Sequence, residues 1–334
     1  MRRKLKNPLK TQNSKLKTGL RSRPLGNSGY VVSRLCFGTL TIGPLGAALP
    51  LREGAALLRE AVGMGVNFFD TAQYYRNYEY LAAAFTGLDQ EVIIASKSYA
   101  AAYDEMARAV EEARIALKRD KIDIFLLHEL RDAADLRGRL PALDCLQDLK
   151  ASGVIGAVGI STHDVAAARL AAVMPEIDII HAMFNMRGVG IRGGTLDEMR
   201  AALQMAHTAG KGVYTMKAIG GGALMHEARA ALIWAYAQEE ADAVAVGMKD
   251  VAELITNVCW LEGREAAEAA QVKLLPRDMA FDKTPACQKC GACLARCPQQ
   301  ALYATEDGVG WHKDRCLFCG YCIAACPWFC ISFC

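Results

Sequence analysis

The chain has 334 residues, of which 52% are hydrophobic and 22% are charged, a composition typical of folded globular proteins. Its length suits one large domain with a small second one. No apolar run approaches the eighteen or so residues of a transmembrane helix, and the N-terminus lacks the apolar segment of a secretory signal. We therefore expect a cytoplasmic enzyme without a membrane span.

The first 23 residues are strongly basic. They contain nine Lys and Arg residues and no acidic residue, so the rest of the chain carries a net charge of −6, the difference between +3 for the whole and +9 for this stretch. A basic arm can bind nucleic acid or an acidic protein. However, this stretch has neither aromatic residues nor hydrophobic periodicity, as is typical of disordered segments. We predict a disordered leader over residues 1–20 and do not expect nucleic acid as a partner.

From residue 35 onward, short apolar segments alternate with Ala-rich amphipathic ones. The apolar segments predict eight strands covered on both faces: Leu35–Gly38, Asn67–Asp70, Val92–Ser96, Ile122–Leu127, Ile155–Ser161, Ile177–His181, Val213–Met216 and Ala243–Gly247. The amphipathic segments predict helices that include Leu51–Met64, Tyr103–Lys118, Leu140–Ala151 and Leu196–Ala209. This alternation predicts an α/β fold, a (β/α)8 TIM barrel, over residues 21–275. A last helix is expected around Leu261–Gln271, followed by a linker that contains Pro276 and Pro285.

Polar residues follow three neighbouring predicted strands, at the end where such barrels place their chemistry. Asp70 ends the second strand and Tyr75 follows it, while Lys97 follows the third strand and His128 the fourth. A tyrosine has a pKa near 10, and an adjacent ammonium lowers it toward the range useful for acid–base catalysis. Lys97, held by Asp70, can supply that charge, and the imidazole can orient a substrate carbonyl. Any one of these alone suits an unrelated rim residue, whereas the four together favour a catalytic site.

Three segments, Pro24–Gly29, Phe37–Thr39 and Gly65–Ala72, resemble those of the aldo/keto reductase family, as does the five-residue spacing from Asp70 to Tyr75. The resemblance covers about residues 22–260. It implies an NAD(P)H-dependent oxidoreductase with a small-molecule carbonyl substrate. By this resemblance Tyr75 donates the proton, Lys97 and Asp70 activate it, and His128 orients the substrate.

The same resemblance implies a nicotinamide cofactor, usually NADPH, across the barrel mouth. Ser161 matches the serine that contacts the carboxamide, whereas Thr162 and His181 stand where asparagine and glutamine are usual. Three consecutive glycines after the seventh strand favour pyrophosphate binding, although alone they also suit a flexible loop. Lys249 can neutralise a 2′-phosphate, but the family arginine near Glu253 is absent, so NAD and NADP both remain open. The predicted cofactor-binding residues are Ser161, Thr162, His181, Lys217, Gly220, Gly221, Gly222, Gly247, Lys249 and Asn257.

Two features of the predicted rim depart from the family pattern. Arg76 follows the tyrosine where glycine is common, which predicts a reshaped first loop. The stretch Arg187–Gly194 contains two arginines among glycines. It could clamp an anionic substrate or form a mobile rim, and both hypotheses remain open.

Ten of the thirteen cysteines lie within residues 287–334. Two runs of the form Cys-x2-Cys-x2-Cys-x3-Cys-Pro have the spacing of bacterial ferredoxins, in which the fourth cysteine binds the other cluster. Zinc, the alternative, favours paired CxxC knuckles with four ligands in all. We predict a small α+β ferredoxin-like domain over residues 280–334 with two [4Fe–4S] clusters. The ligands are Cys287, Cys290, Cys293 and Cys326 for cluster 1, and Cys316, Cys319, Cys322 and Cys297 for cluster 2.

The two halves carry different redox chemistry, because a nicotinamide transfers two electrons as a hydride and each cubane transfers one. The sequence contains no flavin motif. One hypothesis is an NAD(P)H-dependent reductase whose clusters serve electron transfer, structure or docking of a redox partner such as ferredoxin. A second is delivery of single electrons to a substrate at the mouth, with the tetrad supplying protons. A third is a non-catalytic electron carrier or regulatory subunit. By the family resemblance, the ferredoxin-like domain is also expected to form part of the substrate pocket.

Overall fold

The computed structural model describes residues 19–264, 279–281, 287–316, 321–326 and 330–333. Several predictions fall outside these residues: most of the leader, the linker prolines, and the predicted ligand Cys319. Within the described parts, eight parallel strands close into a barrel in the order β10-β3-β4-β5-β6-β7-β8-β9. The TIM-barrel prediction is therefore confirmed.

An antiparallel hairpin of two short strands precedes the barrel, β1 (Ser22–Pro24) and β2 (Val31–Ser33). The barrel strands are β3 (Leu35–Gly38), β4 (Phe68–Asp70), β5 (Ile93–Ser98), β6 (Ile122–Leu127), β7 (Ile155–Thr162), β8 (Ile179–Met183), β9 (Gly212–Met216) and β10 (Ala243–Gly247). The surrounding helices are α1 (Leu51–Gly63), α2 (Tyr78–Phe85), α3 (Tyr103–Leu117), α4 (Ala133–Gly138), α5 (Leu140–Ala151), α6 (Val165–Val173), α7 (Leu196–Thr208), α8 (Ala228–Ala237) and α9 (Val251–Leu261).

The apolar pattern located every barrel strand, with errors of up to two residues. The largest shift is at β8, which begins at Ile179 rather than Ile177. Ile177 is fully buried but lies in a turn, where its N–H donates to the Met174 carbonyl. Burial alone makes a residue apolar in the sequence, so hydrophobicity could not separate this turn from the strand that follows.

The predicted helix around Leu261–Gln271 is wrong at its start, and residues 265–271 lie outside the described part. Helix α9 ends at Leu261. Gly263 adopts a positive φ of 70°, and the Arg264 N–H bonds back to the Cys259 carbonyl. This is the usual glycine termination of a helix.

The barrel has an inner and an outer core. Inward-facing residues, including Cys36, Phe68, Ile124 and Tyr214, fill its interior, while a larger apolar layer joins strands to helices. The N-terminal hairpin covers the bottom of the barrel. Its Gly26 has a φ of 51°, and a Cβ atom there would lie 2.2 Å from the Gly212 nitrogen. Only glycine permits this close approach.

A small α+β module follows the barrel. It contains β11 (Met279–Phe281), α10 (Ala292–Arg296), β12 (Leu302–Thr305), β13 (Gly308–Trp311), α11 (Tyr321–Ala325) and β14 (Ile331–Phe333). Strands β11 and β14 form one antiparallel pair, and β12 and β13 form another. Within the described ranges, no helix has the length and apolar character needed to cross a membrane.

Candidate active site and cluster module

The centre of the barrel mouth is a buried ion pair. The Lys97 Nζ atom lies 2.7 Å from both carboxylate oxygens of Asp70 and donates a further 2.8 Å hydrogen bond to the Thr71 carbonyl. Both side chains are 5% exposed or less. Strands β4 and β5 are adjacent in the barrel, so their ends bring the two residues together. Burial lowers the pKa of Lys97, and the Asp70 carboxylate opposes that shift.

Tyr75 and His128 complete the predicted tetrad around this pair. The Lys97 ammonium lies 5.1 Å from the centre of the Tyr75 ring, and the Tyr75 and His128 rings meet edge to face at 5.9 Å. Tyr75 lies in a 3₁₀ turn, Gln73–Tyr75, which ends at Arg76 with a φ of 53°. The structure thus brings all four predicted catalytic residues together, and it places Arg76 at a sharp backbone bend.

His128 is held as a neutral imidazole. It is 1% exposed, and its pKa lies well below the usual 6.5 because of burial first and the Lys97 charge second. Its ring stacks on Tyr99 at a centroid distance of 4.1 Å, and Arg139 donates to its backbone carbonyl. Neutral imidazole offers one donor and one acceptor, which suits hydrogen bonding to an uncharged substrate.

His181 lies beside the same carboxylate. Its Nε2 atom is 3.7 Å from Asp70, and its ring stacks on Tyr214 at 3.8 Å. Tyr214 in turn donates a 2.9 Å hydrogen bond to Asp70. Burial lowers the pKa of His181 to about 4, although the Asp70 charge opposes this, so the ring is neutral. Tyr214 was not predicted as a site residue, because an inward-facing strand residue has no sequence signal distinct from core packing.

A cavity of about 150 Å³ opens beside the tetrad. Its predicted lining residues are Asp70, Tyr75, His181, Lys217, Gly221, Gly222 and Gly247, and Tyr321 joins them from the C-terminal module. The Gly220–Gly222 segment is a 3₁₀ turn in which all three glycines have positive φ values, of 58°, 67° and 118°. Such positive φ values favour glycine. The Gly220 and Gly222 N–H groups donate to the Lys217 and Ile219 carbonyls within the turn, and Gly221 and Gly222 line the cavity.

Five predicted cofactor-binding residues do not line this cavity: Ser161, Thr162, Gly220, Lys249 and Asn257. The Ser161 hydroxyl accepts from the Glu129 N–H, and Thr162 donates to the Leu130 carbonyl. Asn257 donates to the Glu253 carbonyl one turn earlier in α9. The Lys249 Nζ atom lies 3.6 Å from the Glu253 carboxylate. A 2′-phosphate would have to compete with that carboxylate for Lys249.

A second, larger cleft separates the barrel from the C-terminal module. It measures about 1,260 Å³, and its lining includes His128, Arg139, Arg296 and Gln299. His128 is thus reached from this cleft and also contacts Tyr321 of the smaller cavity.

Two residues of the C-terminal module reach into the barrel mouth, and neither was predicted. Tyr321 is 4% exposed, and its hydroxyl lies 3.2 Å from the His128 Nε2 atom. The Arg296 guanidinium lies 3.8 Å from the centre of the Tyr99 ring and 4.5 Å from that of Tyr74. Each immediately precedes a predicted ligand of cluster 2. That adjacency was visible in the sequence, but nothing in it indicated contact with the barrel.

The arginines of the Arg187–Gly194 stretch are both paired. Arg192 binds Asp164 at 2.6 Å and donates to the Pro298 carbonyl at 2.6 Å, so it joins the barrel to the C-terminal module. Arg187 pairs with Glu227. The structure therefore shows Arg192 as a contact between domains, an arrangement that neither hypothesis for this stretch included.

The described cysteines of the C-terminal module fit iron–sulfur clusters. The small core of the module contains Cys293 and Cys322, with Cys297 and Cys316 packed against it. The Ala301 N–H donates to the Cys297 sulfur and the Cys330 N–H donates to the Cys326 sulfur, each at 3.3 Å. These two bonds join residues four apart at corresponding places in the two runs, as expected for a duplicated cluster-binding motif. N–H···S bonds of this kind tune cluster potentials.

Gly308 has no side chain and so leaves space beside the sulfur of Cys287, another predicted cluster ligand. Gly308 has a φ of 143°, and a Cβ atom there would lie 3.3 Å from the Cys287 sulfur. None of the cysteines in the described ranges forms a disulfide bond. No three or more His, Cys, Asp or Glu side chains in those ranges are arranged around a single metal ion. In a cubane each thiolate binds a different iron, so the ligands do not converge on one point.

Comparisons with known proteins match both parts of the chain. Residues 34–268 match the aldo/keto reductase family, and residues 279–327 match the 4Fe-4S dicluster domain. A putative aldo-keto reductase from Pseudomonas aeruginosa has a TM-score of 0.63 and 26% identity, covering 72% of this chain and 94% of its own. An aldo-keto reductase from Bacillus halodurans, at 21% identity and a TM-score of 0.62, shares the fold over 77% of this chain and 97% of its own.

Among curated proteins, L-galactose dehydrogenase from Arabidopsis thaliana is 28% identical over 156 residues, which cover 43% of this chain and 49% of that protein. The 6-dehydroglucose reductase of Novosphingobium aromaticivorans is 30% identical over 183 residues, which cover 46% of this chain and 59% of that protein. The chain thus spans about half the length of these relatives. From its barrel and the extent of the family match, this chain is a member of the aldo/keto reductase family of oxidoreductases, with a C-terminal 4Fe-4S dicluster domain.

Proposed function

We propose that the protein is an NAD(P)H-dependent reductase of a small-molecule carbonyl compound, with Tyr75 as the proton donor. The observation that carries this proposal is the buried Lys97–Asp70 pair beside Tyr75, at the edge of a cavity in the barrel mouth. Burying an ion pair is costly unless its geometry is good. Here the ammonium is fully bonded, and its charge acts on the neighbouring phenol.

Each tetrad residue has a task in this reaction. A reduced nicotinamide supplies the hydride, and the chain must supply a proton to the substrate oxygen. Lys97 favours the ionised form of the Tyr75 phenol, which makes proton release from it easier. Asp70 keeps the lysine charged despite its burial. Neutral His128, whose Nε2 atom lies 3.2 Å from the Tyr321 hydroxyl beside the cavity, helps to orient the carbonyl group.

The lining of the small cavity supports the cofactor assignment. At about 150 Å³ it is smaller than the roughly 300–1,000 Å³ of sites that enclose a drug-sized ligand. It suits one ring of a dinucleotide, with the pyrophosphate toward Gly221 and Gly222 and the remainder along the open rim. The preference between NADPH and NADH depends on whether Lys249 can exchange the Glu253 carboxylate for the 2′-phosphate.

Cofactor binding and turnover test this proposal separately. NADPH and NADH are titrated into the protein by fluorescence, and oxidation of the bound cofactor is followed with 4-nitrobenzaldehyde. We expect Tyr75→Phe to retain binding and to lose turnover by a factor of about 100 or more. Tyr303→Phe, on the exposed face of β12, is the matched control and should keep wild-type rates. Failure of both cofactors to bind would refute the proposal.

We further propose that the C-terminal module binds two [4Fe–4S] clusters through the eight predicted cysteines. The repeated ferredoxin spacing, the N–H···S bonds and the space beside Cys287 support this. The clusters would accept electrons from a one-electron carrier protein such as a ferredoxin, or serve to hold the module on the barrel. Iron and sulfide analysis after anaerobic reconstitution tests the number, with about eight iron atoms expected per chain.

One observation favours a second candidate, a ferredoxin-linked reductase that delivers single electrons to the substrate. Tyr321 is covalently next to Cys322 and lies beside His128 and the cavity. The barrel mouth is therefore within a few bonds of a predicted cluster ligand. An anaerobic assay compares reduced ferredoxin with NAD(P)H as the electron source for the same aldehyde. Turnover with ferredoxin alone would favour this candidate over the first.

A further inference from the structure

Tyr321 is a residue of the C-terminal module that is buried in the barrel mouth. Its ring packs with Leu45, Ala72 and Tyr75 in one apolar cluster. Its backbone carbonyl accepts a 3.0 Å hydrogen bond from the Tyr74 hydroxyl. The ring position is thus fixed both by packing and by a bond to the backbone, so the phenol has a defined orientation.

The Tyr321 hydroxyl lies between His128 and the cavity that Tyr75 and Asp70 line. It is 3.2 Å from the His128 Nε2 atom, and Tyr321 itself lines that cavity. A substrate carbonyl that approached Tyr75 at the mouth of this cavity would therefore meet the Tyr321 hydroxyl.

The protonation state of His128 sets the direction of this hydrogen bond. Its Nδ1 atom is buried and has no hydrogen-bond partner in the described part of the structure, whereas Nε2 faces the Tyr321 oxygen. A neutral imidazole carries one proton, and a buried N–H without an acceptor is costly. The imidazole proton therefore belongs on Nε2, which donates it to the Tyr321 hydroxyl oxygen. The hydroxyl proton of Tyr321 then points away from His128.

We propose that the Tyr321 hydroxyl, oriented by the His128 imidazole, donates a hydrogen bond to the substrate carbonyl oxygen and so completes the active site from the C-terminal module. This rests on the proposed carbonyl reduction. The hydride adds to the carbonyl carbon, the C=O π bond becomes an oxygen lone pair, and Tyr75 gives that oxygen its proton. Tyr321 keeps its own proton and stabilises the negative charge that develops on the oxygen.

The arrangement has a consequence for the role of His128. Its imidazole acts on the substrate through Tyr321 rather than by direct contact, so it is a positioning residue. Two phenols then face the same oxygen, and only Tyr75 lies beside the Lys97 ammonium that eases proton release. Two donors aimed at a developing oxyanion are a common source of transition-state stabilisation.

Kinetics with the cluster-loaded protein test the donor role. Removal of one oxyanion donor costs about 100- to 1,000-fold in kcat, so Tyr321→Phe should lose that much while KM for 4-nitrobenzaldehyde changes little. Replacing Tyr321 by a fluorinated tyrosine of the same shape should change kcat in step with phenol acidity. Unchanged kcat in Tyr321→Phe, or a faster rate because the phenol blocks the substrate, would overturn the proposal.

An infrared measurement separates this proposal from the proposed function. The carbonyl stretch of ¹³C-labelled benzaldehyde moves to lower wavenumber for each hydrogen bond that the carbonyl oxygen accepts. This shift requires only binding of the aldehyde and no reduction. We expect a shift on binding to the wild type that is smaller with Tyr321→Phe and unchanged with Tyr303→Phe. Equal shifts in all three proteins, or none in the wild type, would refute the Tyr321 contact. Absence of NAD(P)H oxidation with the shift intact would refute only the reductase.

Because Tyr321 adjoins Cys322, the clusters serve as an internal control. The electron paramagnetic resonance spectra of the reduced clusters and the iron content should match between wild type and Tyr321→Phe. If the substitution also removes iron, the fluorotyrosine series decides, because it alters acidity without altering packing. A rate independent of acidity in that series counts against the proposal.

Discussion

Substitution of Asp70 by Asn tests the buried ion pair at the centre of the barrel mouth. The change keeps the shape of the side chain and removes its charge, so the Lys97 ammonium, with a side chain only 1% exposed, loses its carboxylate. Breaking a buried pair by removing one partner costs about 3–5 kcal/mol. The Thr71 carbonyl still accepts from Lys97, which places the expected loss of unfolding free energy near the lower end of that range.

The loss should depend on pH in a defined direction. Burial already lowers the pKa of Lys97, and without the opposing Asp70 charge it falls further. Between that folded value and the usual 10.4 or so, the unfolded chain binds more protons than the native one, so stability rises with pH. The difference in unfolding free energy between the wild type and Asp70→Asn should therefore be larger near neutral pH and smaller in mildly alkaline buffer.

Urea unfolding of the cluster-loaded protein measures the effect. Lys150→Met is the matched control, because it removes a half-exposed ion pair with Asp178, worth about 0–1 kcal/mol. The double variant Asp70→Asn with Lys97→Met should recover stability relative to Asp70→Asn alone, since the unpaired charge is gone. If Asp70→Asn costs no more than Lys150→Met, or if the double variant is no more stable than the single one, the reasoning is wrong.

Three further outcomes are expected. His181 has a pKa of about 4 in the folded protein and near 6.5 in the unfolded chain, so lowering the pH from 6.5 to 4 should reduce the free energy of unfolding by up to about 3 kcal/mol. In urea titrations across that pH range, His181→Gln should lack this part of the pH dependence. Cys326→Ser should halve the iron content while Cys330→Ser leaves it unchanged, and equal losses would contradict the ligand assignment. Glu253→Gln frees Lys249, so NADPH should bind several-fold more tightly and NADH equally well; unchanged NADPH affinity would remove Lys249 from the cofactor site.

Local features of the sequence were sufficient for the barrel and for the tetrad. A parallel strand covered on both faces is apolar throughout, so Ile122–Leu127 and Ala243–Gly247 were located to the residue. Residues at the carboxyl ends of adjacent strands must meet at one edge of the barrel, which is why Asp70 and Lys97 could be paired without coordinates. The cysteine spacing is equally local, since three ligands of each cluster lie within seven residues.

Cofactor contacts were harder to predict, because a side chain near a strand end can face several partners. Thr162 and Asn257 lie close to the expected positions along the chain, yet both bond to nearby backbone carbonyls. Lys249 was expected to face a phosphate and lies beside Glu253, one helical turn away. Competition among neighbouring polar groups decides these orientations, and the sequence pattern contains no measure of it.

The sequence by itself determined a barrel with four polar residues at one mouth, proposed as an acid–base tetrad, and a module with two ferredoxin-like cysteine runs. The tertiary structure alone decided how they join: Tyr321 bonds to His128 from 193 positions away, Arg296 packs on Tyr99, and Arg192 bonds to the Pro298 carbonyl. Strands, helices and cysteine runs arise from interactions between near neighbours, which leave a period or a spacing in the chain. Contacts between domains depend on the packing of whole surfaces, and a single sequence carries no periodic signal for them.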